Sequence, residues 1–191
     1  MASTDQGFGA WLRAVNPMAK SQTEADAVRA ARLGTVALVL MAIETLISAA
    51  MVWAARETMQ AAMLQKLATQ PTPAGADPGK VQQMGESMAS IMPTVTVVVL
   101  VVFAVVWAIL ALVQWKKPNP IIPAIMLALT LLGLVTTVKS LAGPHTGAEA
   151  AMYSAGRTAY SLIASLVNLV LLAAAFMGAL RLGRFRRETY V

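Results

Sequence analysis

A single carboxylate, Glu44, lies near the middle of an apolar run that covers residues 33–55. An ionisable side chain at bilayer depth costs roughly 2.5 kcal/mol or more, so it normally faces a protein interior and often marks an ion pathway or a coupling site. Without a nearby cation, such a carboxyl group is expected to be protonated, because desolvation disfavours its charged form. Glu44 is therefore the first candidate for chemistry in this chain.

Other polar side chains are spaced so that they share a helix face with Glu44 or face it from another helix. Ser48 follows Glu44 by one helical turn, whereas Ser165 and Asn168 belong to a small-residue stripe on the last apolar run. Thr130, on the third run, falls near the same depth. Small residues let membrane helices approach, and polar side chains then hydrogen-bond across the contact. The sequence therefore predicts an intramembrane polar site of Glu44, Ser48, Thr130, Ser165 and Asn168.

Four apolar runs must position these side chains. They cover residues 33–55, 91–115, 121–141 and 158–180 of a chain that is 58% hydrophobic and 13% charged. At about 1.5 Å per residue, each run can cross a hydrocarbon core of roughly 30 Å as a helix. All four lack the polar face that a helix of a soluble bundle keeps. The predicted fold class is an all-α integral membrane protein, a four-transmembrane-helix antiparallel bundle with an extramembrane helical hairpin between helices 1 and 2.

Residues 56–90 form that predicted hairpin, outside the bilayer. Good helix formers flank a tip rich in Pro and Gly at residues 71–79, and the first helix is expected to continue unbroken as far as this tip. Apolar residues recur at helical spacing on both arms, which favours packing of one arm on the other, and a disordered loop is the alternative. The predicted contact residues are Met59, Met63 and Leu67 on the first arm and Val81, Met84 and Met88 on the second.

The remaining segments also carry helical and turn signals. Phe8, Trp11, Leu12 and Val15 recur at helical spacing and predict a short amphipathic helix at the membrane surface. Residues 116–120 are too few for another element, so the second and third spans are expected to be antiparallel neighbours. We predict an N-terminal segment at residues 1–23, a transmembrane domain at 24–182 and a basic tail at 183–191.

Basic residues are concentrated on one side of the predicted spans. Positive residues beside membrane helices are retained in the cytoplasm, so both termini are expected to be cytoplasmic, in a bacterial inner membrane. Topology and anionic lipid head groups explain the net charge of +6 better than nucleic acid does, because the charges flank the span ends. The tail residues predicted to contact lipid head groups are Arg181, Arg184, Arg186 and Arg187.

Two functions remain open from the sequence. One is a non-enzymatic scaffold or accessory subunit that contacts a membrane protein partner, or a second copy of the chain, through its spans and its external hairpin. The alternative is a small proton- or cation-coupled transporter or channel that uses Glu44. Lys139 is expected to snorkel to the external interface rather than pair with Glu44. No nucleophile–base pair, metal-ligand cluster or phosphate-binding glycine loop is visible, so we expect no enzymatic activity, metal or cofactor.

Overall fold

The structure of the chain, a computed structural model, describes residues 8–18, 23–69, 77–141 and 155–188. The helices in these ranges are α1 (Phe8–Val15), α2 (Glu24–Ala54), α3 (Arg56–Thr69), α4 (Pro78–Lys116), α5 (Ile121–Leu141) and α6 (Ala155–Glu188). No strand occurs in the ranges described. Four of the helices, α2, α4, α5 and α6, are long and apolar enough to cross a membrane. The prediction of an all-helical multi-pass membrane protein is confirmed at this level.

Helix α2 begins at a capped end and continues almost without interruption into α3. The Thr23 hydroxyl accepts a hydrogen bond from the Asp26 backbone N–H at 3.2 Å, which satisfies one of the free amides of the first turn. Between the two helices, Ala55 has φ −91° and ψ 4°. Its N–H still donates to the Met51 carbonyl at 3.0 Å. The helix that was predicted to be unbroken is therefore interrupted at Ala55. This is the last residue of the apolar run, and the next residue, Arg56, stacks over the Trp53 ring.

Helix α2 is the central element, because it packs against both α4 and α6. Towards α6, Gly178 faces Ala30 and Ala31, whereas Gly34 faces Ala175. A later residue of α2 thus meets an earlier residue of α6, so the two helices are antiparallel.

Helices α2 and α4 also run in opposite directions where they contact each other. The Gln114 side chain donates to the Ala31 carbonyl, and the Thr35 hydroxyl donates to the Ala111 carbonyl. These two bonds also link a later residue of α2 to an earlier residue of α4, which makes this pair antiparallel as well.

Helices α4 and α5 are joined by a short turn but do not pack along their lengths; α5 packs against α6 instead. The prediction that the second and third spans are packed neighbours is therefore wrong. A short turn decides only where one helix ends and the next begins, whereas the complementary faces decide which helices pack. Met126 of α5 belongs to the same buried cluster as Leu171 and Ala175 of α6. The lateral order of the spans is α4, α2, α6, α5.

The hydrophobic core lies at one end of this arrangement, where α2 begins and α4 and α6 end. Beyond Leu38, no residue of α2 is buried until Ala49. Helix α1 packs on the same end and contributes three side chains at helical spacing: Trp11, Ala14 and Val15. The buried cluster consists of Leu33, Ala37, Leu38, Ala111, Met126, Leu171, Leu172, Ala174 and Ala175. We call this end of the bundle the basic end, because it also carries most of the arginines.

Candidate functional site

Glu44 lies on α2 just beyond the core, and it is half-buried. Its stripe is buried at Gly34 and Ala37 and becomes half-buried at Met41, Glu44 and Ser48. A Cβ built on Gly34 would lie 3.2 Å from Ala175 of α6 and 3.4 Å from both Gln114 of α4 and Pro123 of α5, so this stripe begins where α2 meets all three helices. Glu44 makes no hydrogen bond or ion pair with another residue in the described part of the chain. The carboxyl group is thus partly sheltered by protein but has no partner there.

Asn168 is the corresponding polar residue of α6, and it is only 2% exposed. Its Oδ1 atom is buried and accepts no hydrogen bond from the residues that the structure describes. The contacts of Gly34 and Gly178 set the register of α2 against α6. Continued along both helices, this register brings Asn168 level with Met41 and Ser165 level with Glu44. Asn168 therefore lies about one helical turn from the level of Glu44.

The other predicted members of the polar site make no link between helices. Thr130 is buried, but its hydroxyl donates to the Met126 carbonyl of its own helix at 2.8 Å. Ser48 and Ser165 are half-buried, and neither is hydrogen-bonded to another described residue. Among the described side chains, the five predicted residues are thus sheltered to different degrees but are not joined into a network.

Gln114 is a buried polar residue that the sequence pattern did not single out. It is 0% exposed, and its Nε2 atom donates to the carbonyls of Ala31 and Asn119 at 3.2 Å each. Its Oε1 atom accepts from the Asn119 N–H at 3.5 Å. It stands at the end of an apolar run, where a polar residue normally marks the interface rather than the core. The sequence signal that could have identified Gln114 is the turn-forming Asn119-Pro120 pair five residues later, because the Gln114 side chain bonds the backbone of this turn.

Helices α3 and α4, which correspond to the two arms of the predicted hairpin, contact each other. The Leu67 side chain packs so closely on Gly85 that an added Cβ there would lie 2.7 Å from it. The buried residues of α4 in this region are Gly85 and Ala89, whereas Met84 and Met88 are 68% and 57% exposed. Small residues allow the closer approach, so the contact face of α4 is rotated by one residue from the predicted ladder.

On the first arm, the predicted contact residues Met59 and Met63 are half-buried, and Leu67 is 37% exposed. Val81, on the second arm, is half-buried too. The contact seen between the two arms joins Leu67 to Gly85, and the larger methionines of α4, Met84 and Met88, remain exposed.

The tail residues predicted to bind lipid head groups differ in what they contact. Arg181 donates to the Pro17 carbonyl at 3.4 Å, and Arg186 pairs with Glu24 at 3.7 Å. Arg184 and Arg187 are exposed. Helix α6 continues to Glu188, so most of the predicted basic tail is helical, and its last three residues lie outside the described ranges.

Within the described residues, no group of three or more His, Cys, Asp or Glu side chains could hold a metal ion. Lys139 is exposed and forms no ion pair with another residue described by the structure. Comparisons of the chain with protein-family models, curated proteins and solved structures found no match. The class of protein is therefore defined by the helices themselves: a multi-pass membrane protein.

Proposed function

We propose that this multi-pass membrane protein is a non-enzymatic scaffold or accessory subunit whose external hairpin contacts another membrane protein or a second copy of the chain. The single observation that carries this function is the exposure of Met84 and Met88 on α4. Large apolar side chains in contact with water lose the hydrophobic stabilisation that a partner surface would supply. Methionine is well suited to such a surface because its side chain adapts to irregular partners.

The length of α4 supports a location outside the bilayer for these two methionines. Its 39 residues extend for about 58 Å at 1.5 Å per residue, nearly twice the thickness of a hydrocarbon core of roughly 30 Å. Lys116 ends the helix at the basic end. The excess length must then extend from the opposite end, which carries Met84 and Met88.

We further propose that the basic end faces the cytoplasm of a bacterial cell. Arg29 and Arg32 near the start of α2, Lys116 at the end of α4 and Arg187 at the end of α6 belong to the same end of the bundle. Basic residues beside short connections are retained on the cytoplasmic side. In this orientation the hairpin is on the periplasmic side of the inner membrane, and exposed Arg184 and Arg187 can contact anionic lipid head groups.

Site-specific photocrosslinking in native membranes tests the scaffold function. A photoreactive residue in place of Met84 or Met88 should give one protein adduct of defined mass, and an adduct of twice the chain's mass would identify a second copy as the partner. Gln83 is the matched control, because it is exposed on the polar side of the same helix. The same adduct from Gln83, or lipid adducts alone from the methionine positions, would contradict the proposed contact.

A second candidate function, proton- or cation-coupled transport, is supported by the unpaired acceptors between α2 and α6. The Asn168 Oδ1 atom is buried without a donor, and the Glu44 carboxyl group one turn away also has no partner among the described residues. Oxygen atoms of this kind bind hard cations, and a neutral carboxyl group can supply a proton to such an acceptor. A polar site at this depth is a general feature of ion pathways.

Flux measurements in proteoliposomes test this second candidate. Glu44→Gln should abolish the flux of protons, or of a cation coupled to protons, across the proteoliposome membrane while preserving the fold. Glutamine keeps the shape of the glutamate side chain but cannot release a proton. Glu86→Gln is the control, since this exposed carboxylate lies on the hairpin and bonds only Gln82 among the described residues. Wild-type protein without flux, or flux that survives in Glu44→Gln, would reject the transport function and leave the scaffold function intact.

A further inference from the structure

We propose that Arg32, Trp115, Lys116 and Lys117 form a binding site for an anionic phospholipid, with its phosphate head group held by the three basic side chains. The site lies at the basic end, on the contact between α2 and α4. It is distinct from the tail of α6, which the sequence pattern favoured for lipid contact.

Arg32 provides the fixed cation of this site. Its guanidinium carbon lies 4.5 Å from the centroid of the Trp115 ring, so the ring holds the charged group in one position. Its Nε atom is buried and donates to no described residue. Arg32 also forms no ion pair within the described ranges, whereas Arg29, almost one turn earlier, pairs with Asp26 at 3.2 Å. The two terminal Nη groups of Arg32 also donate to no described residue, so they are available to an acceptor from outside the chain, and a guanidinium group binds phosphate in a bidentate manner.

Lys116 and Lys117 directly follow Trp115 in the sequence and add two further positive charges at the end of α4. Both side chains are exposed, and neither forms an ion pair with another described residue. The two acids described at this end of α2, Glu24 and Asp26, are already paired with Arg186 and Arg29. The charge of the Arg32 site is thus not neutralised by these acids, and it attracts anions.

An exposed apolar surface lies directly beneath these charges and indicates a lipid rather than a free phosphate ion. Val36 and Leu40 follow Arg32 by one and two turns of α2 and are exposed. Leu112, one turn deeper than Trp115 on α4, is 63% exposed. The two helices are held together at this depth by the bond from the Thr35 hydroxyl to the Ala111 carbonyl. A phosphate bound at Arg32 would therefore have its acyl chains against an apolar surface of both helices.

Thermal unfolding of the purified full chain in detergent tests the site. The midpoint is followed while phosphatidylglycerol or phosphatidylcholine with the same acyl chains is added, which yields an apparent affinity for each lipid. Phosphatidylglycerol should stabilise the wild type and phosphatidylcholine should not. Arg32→Gln should lower the apparent affinity for phosphatidylglycerol by about fivefold, the effect expected of one basic residue near the surface.

Arg29→Gln is the matched control, because it removes the same charge from the same helix at a residue already paired with Asp26. Its apparent affinity should stay within about twofold of the wild type. Equal losses in Arg32→Gln and Arg29→Gln would overturn the site in favour of diffuse attraction. Equal stabilisation by inorganic phosphate would overturn the assignment to a lipid. If Arg32→Gln fails to fold, the double variant Lys116→Gln/Lys117→Gln must lose the response to phosphatidylglycerol, and a retained response would overturn the site.

Discussion

Two regions of the bundle hold a buried amide side chain, Gln114 at the basic end and Asn168 in the middle of α6, but only Gln114 has its hydrogen bonds satisfied by described residues. Gln114 is completely buried and bonds α2 and the turn that precedes α5. Asn168 is nearly as buried, yet its Oδ1 atom has no donor among the described residues. Glu44 is half-buried and also unpaired there. A buried polar group with all its bonds contributes to stability, whereas an unpaired one costs free energy and so indicates a role other than stability.

The packing of α2 against α6 also differs between the basic end and the middle of the spans. At the basic end Gly178 approaches the backbone of Ala30 and Ala31, and the neighbouring positions are also small and buried. Farther along, Met41 and Glu44 are larger and only half-buried. Close packing therefore stabilises the association of α2 with α6 at one end, and the region around Glu44 contributes little to it.

A side chain added at Gly178, where α2 and α6 are in close contact, should cause the largest loss of stability. In Gly178→Ala the new Cβ would lie 2.6 Å from the backbone nitrogen of Ala31, so the helices must separate. We expect a loss of about 3 kcal/mol in the free energy of unfolding, measured as a lower thermal midpoint in detergent.

Gly183→Ala is the control for Gly178→Ala in the same helix. Nothing lies within 4 Å of a Cβ built at Gly183. Alanine is also the better helix former, so this variant should unfold at or above the wild-type midpoint. Equal midpoints for the two variants would show that the close approach at Gly178 is not important for stability.

Removal of the hydrogen-bonded amide of Gln114 should cause the next largest loss of stability. Gln114→Leu keeps the approximate volume but leaves the Asn119 backbone groups without their bonds to this side chain. We expect a loss of about 2 kcal/mol in the free energy of unfolding. Gln82→Leu is the control, because Gln82 is exposed and bonds only Glu86 among the described residues. An unchanged midpoint in Gln114→Leu would argue against its role as a link between helices.

The unpaired amide should respond with the opposite sign and the smallest magnitude. Asn168→Leu removes an acceptor that has no described donor, so the unfolding free energy should stay constant or rise by about 1 kcal/mol. The same substitution at Asn119 should destabilise, because the Asn119 Oδ1 atom accepts from the N–H groups of Ile121 and Ile122 at 3.1 Å each. A lower midpoint for Asn168→Leu would indicate that Asn168 has a structural hydrogen bond.

The sequence was sufficient to predict the four long apolar helices and the helical segments on either side of residues 71–79, because composition acts locally. It was not sufficient to identify which helices pack together. The partner of α5 depends on the match between Met126 and the face of α6 that carries Leu171, and helical periodicity cannot show such a match.

The polar residues illustrate the same limit. Glu44 is conspicuous in a hydropathy pattern wherever it points, but Gln114 is conspicuous only once Ala31 is known to lie beside it. In the hairpin, periodicity identified the apolar ladder of Met84 and Met88, whereas the close approach of α3 selected the small residues beside it. The pattern of residues in a single sequence thus does not show which faces a neighbouring helix buries.

The position of Gln114 also has a consequence for biogenesis. Its amide is completely buried by protein and has no water to bond, so α4 gains a hydrogen bond when it reaches α2, which is synthesised earlier. The acceptor on α2 and the turn before α5 are both available before the ribosome completes α6. We therefore expect the first two spans to associate during insertion and the last span to dock onto a pair that is already assembled.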